Sequence, residues 1–256
     1  SLFAQGMNYI QIILAGAFVD VIEVNVLFFW TTLGTLLSLF SVSLNSLLTP
    51  RICNIRKSDP KLSIDFIEEI SRAIAFITFP VFGILVIVIA GLPEVVNVVL
   101  LNKFNIWKYG MVAILAIAPY VFNIVITPRV ALVASSDSAI KFNGIISITG
   151  SVTTVLIWIF SIQNYGIYSI VLGSFIGTGI ILILFAVVTW KEFEIKTRKY
   201  LSFFFLELIG SIFSLILLNF VHPLIIIALW IILHLFIVKR GAFLLYFSLT
   251  NPKANI

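Results

Sequence analysis

The sequence predicts an all-α integral membrane protein with about eight transmembrane helices, and three observations lead to this fold class. The 256-residue chain is 61% hydrophobic and only 11% charged, with a mean hydropathy of +1.18. Soluble domains are about half apolar and about a quarter charged. The apolar residues form continuous runs of about 20, the length that a helix needs to cross the hydrocarbon core. These runs lack the short alternating pattern of a transmembrane β-barrel.

The apolar runs define the predicted spans, and a basic connection follows every second one. The spans are roughly 3–20, 24–48, 64–92, 109–134, 140–161, 166–190, 202–220 and 223–240. The basic connections are Pro50–Lys61, the turn at 135–139 between Arg129 and Lys141, the segment Lys191–Lys199, and the tail with Lys239, Arg240 and Lys253. The other connections, such as Asp20–Glu23 and His222-Pro223, are short or nearly neutral.

The distribution of Lys and Arg predicts the orientation of the chain. Lys103 and Lys108 fall on one side of the predicted topology, and all other members of the 16 Lys and Arg residues fall on the opposite side. The positive-inside rule then places the basic connections and both termini in the cytoplasm, with the helices in the inner (plasma) membrane. The net charge of +5 is therefore a topology signal. Nucleic-acid binding would need a basic folded soluble module, which the sequence does not predict.

Reactive residue types are scarce. Cys53 is the single cysteine, and His222 and His234 are the only histidines. A zinc site needs about four clustered ligands, so we expect no metal site; we also expect no cofactor and no enzymatic activity. The chain starts at Ser1, almost inside the first span and without a signal peptide. We therefore expect a processed or truncated chain, such as the C-terminal part of a longer protein.

The start of the third span carries helix signals. Asp59-Pro60 fits an N-cap followed by proline at the first helical position. Ile64, Ile67 and Ile70 share one side of the following stretch, whereas Asp65, Glu68, Glu69 and Arg72 share another. This pattern predicts an amphipathic stretch at the membrane interface before the helix enters the bilayer. Pro80 is expected to kink the span.

Polar residues recur at helical spacing inside several spans. Span 2 carries Thr31, Gly34, Ser38, Ser41 and Asn45; span 4 carries Tyr120, Asn123 and Thr127; span 5 carries Asn143, Ser147, Gly150 and Thr154. Span 1 opens with Gln5, Asn8 and Gln11, and span 6 has Gly173 and Gly177. Such stripes serve helix packing, which is our interpretation for the two glycines, or they line a water-filled cavity. The candidate cavity-lining residues are Thr31, Ser41, Asn45, Asn123 and Asn143.

Two ionisable residues lie at depth. Arg129 follows Pro128 in an apolar stretch, and Glu207 lies about a turn and a half into span 7. Ionisable groups in a bilayer are costly and often mark a transport pathway. Arg129 either snorkels to the cytoplasmic interface or binds a phosphate through its guanidinium fork. Glu207 either makes a structural hydrogen bond or participates in ion coupling.

Local motifs extend these patterns to a family resemblance. A helix ends with Ser46-Leu-Leu-Thr-Pro50-Arg51, and the next contains Phe79-Pro80. A turn, Gly91-Leu-Pro93-Glu94-Val-Val, runs toward Phe104, and Asn164-Tyr165-Gly166-Ile167 opens span 6. In this order and spacing, the motifs resemble the C-terminal lobe of polysaccharide-export flippases, the Wzx type within the multidrug/oligosaccharidyl-lipid/polysaccharide exporter superfamily.

The resemblance implies a domain organisation and a transport function. Residues 1–190 would form a six-helix exporter lobe, and residues 191–256 an additional C-terminal helix pair with a short cytoplasmic tail. With a missing N-terminal lobe of the same transporter, this lobe would export a lipid-pyrophosphate-linked oligosaccharide, such as a lipopolysaccharide or O-antigen precursor, by alternating access. Arg129 would meet the pyrophosphate, and Glu207 would be the candidate for ion coupling.

Other functions stay open from the sequence alone. A multidrug exporter of the same superfamily would share the lobe, but acids in its cavity would suit cationic drugs, and the spans are poor in acids. A polysaccharide polymerase or glycosyltransferase would need a sizeable outward loop with catalytic side chains. The longest outward connection, Pro93–Lys108, offers only Glu94, Lys103 and Lys108. A non-transporting membrane scaffold is the remaining alternative.

Overall fold

The computed structural model describes residues 10–11, 13–99, 106–195, 209–210, 213–214 and 216–250, and the regular secondary structure within these ranges is helical. The helices with defined bounds are α1 (Val21–Ser58), α2 (Pro60–Gly91), α3 (Pro93–Val99), α4 (Ile106–Ala134), α5 (Ile140–Tyr165), α6 (Ile167–Phe193) and α7 (Pro223–Thr250). Among the described residues, 6 helices are long and apolar enough to cross a membrane. The chain is thus an all-α, multi-pass membrane protein, as the sequence predicts.

The six helices correspond to predicted spans 2 to 6 and 8. Spans 1 and 7 are described only in part: residues 13–18 are helical, and so are residues 216–217. Gln5, Asn8, Lys103 and the ion-coupling candidate Glu207 lie outside the described residues.

The prediction of a basic loop that begins at Pro50 is wrong, because helix α1 continues through Pro50 to Ser58. Leu48 and Ile52, on either side of the proline, are both fully buried in one core. This shared packing keeps the helix continuous despite the missing N–H of Pro50. Only Asp59 separates α1 from α2.

The predicted cap at the start of α2 is confirmed. Asp59 accepts hydrogen bonds from the backbone N–H of Lys61 (2.9 Å) and of Leu62 (3.2 Å), and Pro60 is the first helical residue. The predicted amphipathic stretch is part of one continuous helix, α2, in which Ile67 and Ile70 are fully buried. Their apolar side packs on protein instead of on lipid.

Two other connections also differ from the prediction. The outward segment after Pro93 contains the short helix α3. Lys239 and Arg240 belong to α7, which continues to Thr250, so they are part of a helix and not of a tail. Helix α3 is a separate helix after Leu92, whereas α7 extends beyond the predicted span, because hydropathy alone does not delimit a helix end.

Helix α4 is the centre of the bundle and packs against α1, α2, α3, α5 and α6. In the apolar stretch of α4 that could cross the membrane, 61% of the residues are buried, compared with 17% in the corresponding stretch of the peripheral α7. Helices α1 and α4 run parallel. Contacts join Glu23 to Tyr109, Gly34 to Tyr120 and Ser41 to Thr127, in the same order along both helices.

Two antiparallel pairs complete the bundle. Helix α7 packs on α2, where the Trp230 indole lies over Gly83 and donates to the carbonyl of Pro80 at 3.0 Å. Helix α5 packs on α6, where Trp158 covers Gly173 and Thr154 covers Gly177. The packing role predicted for these two glycines is confirmed, because each lets the facing helix approach closely.

The alternating helix directions bring the basic residues to one end of the bundle, which we call the basic end. It carries Arg56 and Lys57 at the end of α1, Lys61 at the start of α2, Lys141 near the start of α5 and Lys191 near the end of α6. The opposite end carries the starts of α1, α6 and α7.

Candidate functional site

The parallel packing of α1 and α4 brings two of the predicted polar stripes together along a line that we call the α1–α4 seam. The Ser41 and Thr127 hydroxyls are 2.8 Å apart, and the Ser41 oxygen is 3.3 Å from the carbonyl oxygen of Asn123. The Thr127 oxygen is 2.7 Å from that same carbonyl oxygen. Each hydroxyl has one proton, and both lie within hydrogen-bond distance of the Asn123 carbonyl, so either one can be the donor in the contact between them. The seam is therefore joined by a hydrogen bond across the two helices.

Nearer the start of α1, where Tyr120 of α4 faces it, the seam opens into a small cavity of about 140 Å³. Its walls are Gln11, Ala15, Leu27, Phe28, Thr31, Thr32, Thr35 and Tyr120. The Tyr120 ring reaches this position only because Gly34 has no side chain, since a Cβ at Gly34 would overlap the ring. The volume and the polar walls suit several water molecules.

Most hydroxyls of the seam are satisfied by their own helix. Thr31 donates to the carbonyl of Leu27 at 2.8 Å, and Thr35 donates to that of Thr31 at 2.8 Å. Such bonds lower the cost of a hydroxyl in an apolar environment without removing its capacity to accept. Asn45 accepts a bond from Thr49 at 3.2 Å, whereas Asn123 is exposed on the seam.

The structure thus groups three of the predicted cavity residues, Thr31, Ser41 and Asn123, along the α1–α4 seam, whereas the hydrogen bond of Asn45 is to Thr49 within α1. Asn143 lies elsewhere, half-buried near the start of α5. In the stripe of span 5, Gly150 and Thr154 are buried against α6. These two members of the stripe serve helix packing.

Arg129 faces α6 and lies apart from the cavity. It is only 4% exposed, and its Nη1 donates to the Thr189 hydroxyl at 2.7 Å. Thr189, which is fully buried, donates in turn to the carbonyl of Phe185 at 2.8 Å. The snorkelling interpretation of Arg129 is not what the structure shows, because the side chain is enclosed between α4 and α6.

Sequence reasoning missed several features of the site. Thr32 and Thr35 line the cavity, and their spacing from Thr31 along α1 was a usable signal. The contact of Gly34 with Tyr120 joins two stripes that the sequence showed separately. The partnership of Arg129 with Thr189 had no sequence signal, since the two residues are 60 positions apart.

The cross-helix hydrogen bond of the seam gives a first prediction. Ser41→Ala and Thr127→Val are each expected to lower the free energy of unfolding in detergent by about 0.6 kcal/mol, the mean for membrane hydrogen bonds. In the double variant the two losses are expected not to add, because both remove the same bond. Unfolding of the single and double variants by SDS titration measures the coupling, and strictly additive losses would contradict the bond.

Comparisons with known proteins add no relative. No family model, no curated protein and no solved structure matches the chain. Within the described ranges, no group of three or more His, Cys, Asp or Glu residues could hold a metal ion.

Proposed function

We propose that the chain is the C-terminal lobe of a flippase that moves lipid-linked oligosaccharide precursors from the cytoplasmic to the outer leaflet by alternating access. The observation that supports this proposal is the exposed polar α1–α4 seam at bilayer depth. Thr32, Thr35 and Asn123 are exposed there, each more than ten residues from the nearest end of its helix.

An exposed asparagine amide is costly against lipid, because hydrocarbon offers it no hydrogen-bond partner. The seam is therefore better suited to a water-filled path or to a second lobe than to the lipid phase. In an alternating-access transporter, the facing surfaces of two lobes form such a path. In this proposal, an N-terminal lobe of the same transporter would cover the seam and complete the path.

The size of the cavity favours an open path over an enclosed binding pocket. Its volume of about 140 Å³ is below the range of about 300–1,000 Å³ for small-molecule pockets. A lipid-linked oligosaccharide would not be enclosed within this lobe. It would move along the seam between lobes, with its lipid part in the bilayer.

The proposal places the basic end in the cytoplasm, in accordance with the positive-inside rule. The lobe would load cargo from that side. No covalent step is required, because moving an intact lipid-linked sugar between leaflets neither forms nor breaks a bond.

A tryptophan placed in the seam tests the proposal. In cells whose only copy of the full gene carries Thr35→Trp, we expect lipid-linked oligosaccharide to accumulate. Thr35 lines the cavity, and the larger indole would fill it. The matched control is Leu36→Trp, which adds the same ring at the next position, where Leu36 is 59% exposed and does not line the cavity.

Accumulation with Thr35→Trp but not with Leu36→Trp, at equal membrane levels, supports the flippase. Normal export by both variants, or no accumulation when the gene is deleted, would overturn it. Loss of drug efflux without oligosaccharide accumulation would instead indicate a multidrug exporter.

A further inference from the structure

We propose that Arg56, at the basic end, binds the phosphate of an anionic phospholipid headgroup. The inference concerns a site separate from the α1–α4 seam, and it does not depend on the transport function. It rests on an unsatisfied buried donor, an aromatic support and the depth of both in the membrane.

The donor is the guanidinium of Arg56 in the last turn of α1. Its Nη1 atom is buried and has no hydrogen-bond partner among the described residues. A buried nitrogen that carries N–H donors without an acceptor is costly, and more so when it is charged. An acceptor for this group would therefore come from outside the described residues, as a lipid or water oxygen.

The support is Phe193, the last residue of α6. The Arg56 guanidinium carbon lies 5.0 Å from the centre of the Phe193 ring. This cation–π contact orients the planar group and limits its rotation. An oriented guanidinium fork matches the oxygens of a phosphate better than a mobile ammonium group does.

The depth follows from the surroundings of Phe193. Trp190, one turn earlier on α6, is 60% exposed, and the adjacent Lys191 is also exposed. An exposed tryptophan beside a lysine at the end of an apolar helix marks the membrane–water interface. Arg56 therefore lies at the level of the headgroups, where lipid phosphates are concentrated.

The local charge favours an anion. Lys57, Lys61 and Lys191 are exposed at the same end. Asp59 already uses Oδ1 to cap α2. Glu192 and Glu194, on either side of Phe193, are exposed and supply no hydrogen bond to Arg56 Nη1.

Lipid titration of the purified full chain, followed by native mass spectrometry, tests the site. Phosphatidylglycerol is the anionic probe, and phosphatidylcholine is the zwitterionic comparison. Arg56→Gln is expected to weaken phosphatidylglycerol binding about tenfold, the loss of one charge-assisted hydrogen bond. Arg56→Lys, which keeps the charge but loses the fork, is expected to bind with intermediate affinity.

Lys57→Gln is the matched control, because it removes the same charge from the next residue, which is exposed. It is expected to change binding less than about twofold, as for a screened surface charge. Equal losses for Arg56→Gln and Lys57→Gln, or no loss for Arg56→Gln, would overturn the site.

A soluble-anion arm separates a lipid from free phosphate. Millimolar inorganic phosphate is expected not to displace phosphatidylglycerol, because the acyl chains hold the lipid phosphate at this depth. Displacement by inorganic phosphate, with no preference for phosphatidylglycerol over phosphatidylcholine, would overturn the lipid assignment.

Discussion

Gly177→Ala is expected to destabilise the protein by about 2 kcal/mol, although it adds a single methyl group. The new Cβ would overlap the Thr154 hydroxyl and would lie 2.7 Å from the carbonyl oxygen of Gly150. A backbone oxygen cannot turn away as a flexible side chain does, so α5 and α6 must separate. Separation would also loosen the cover of Trp158 over Gly173.

Gly179→Ala is the matched control, two residues further along the same helix. A Cβ at Gly179 meets nothing within 4 Å, so this variant is expected to unfold like the wild type or slightly later. Thermal unfolding in detergent, followed by tryptophan fluorescence, compares the two. Identical midpoints for Gly177→Ala and Gly179→Ala would show that the α5–α6 contact is not as close as described.

A compensating change makes the same prediction more specific. Thr154→Ala in the Gly177→Ala background removes one of the two obstacles and leaves the Gly150 carbonyl. Partial recovery of the unfolding midpoint is therefore expected. Full recovery would mean that the contact of the new Cβ with the Gly150 carbonyl does not destabilise the protein.

Arg129→Gln and Arg129→Lys are both expected to reduce oligosaccharide export by at least about tenfold, if Arg129 receives the cargo phosphate through its guanidinium fork. Neither replacement reproduces two parallel N–H donors in a fixed plane. Lipid-linked oligosaccharide accumulation in cells measures the loss. Normal export by both variants would remove Arg129 from the transport path.

The buried position of Arg129 sets a condition on this role. The side chain is 4% exposed and lies between α4 and α6, so cargo reaches it only when these helices move apart. Thr189→Val separates the two possibilities, because it removes the hydroxyl partner and keeps Arg129. A loss of export equal to that of Arg129→Gln would indicate a structural role, whereas retained export supports phosphate binding.

Thr189→Val is also expected to have a measurable cost in stability. The guanidinium loses an acceptor at 2.7 Å in a site without ready access for water. Leaving a buried charged donor short of an acceptor costs about 1–3 kcal/mol. Export must therefore be compared at equal levels of folded protein in the membrane.

The helical membrane fold could be predicted because it depends on local composition. A run of about 20 apolar residues must satisfy its own backbone in lipid, and a helix does so without partners. The Asp59-Pro60 cap is equally local, and it is confirmed. The boundary at Pro50 was mispredicted because Leu48 and Ile52 hold the helix together through tertiary packing, which hydropathy does not report.

The candidate site could be predicted only in part. Helical spacing identified the stripes of Ser41 and Asn123, but each stripe was compatible with packing or with a cavity. The parallel approach of α1 and α4, made possible at Gly34, united them. The orientation of the Arg129 side chain toward α6 could not be predicted, because its partner Thr189 is far away in the sequence.

The sequence by itself determined that this protein is helical, embedded in a membrane and unequal in charge between its connections, because each property follows from the composition of a single segment. Only the tertiary structure decided which helix is central, which polar stripes meet and which are used in packing. The physical reason is that apolar helices of similar composition are equally soluble in lipid. Their arrangement is selected by close contacts at small residues and by hydrogen bonds between helices.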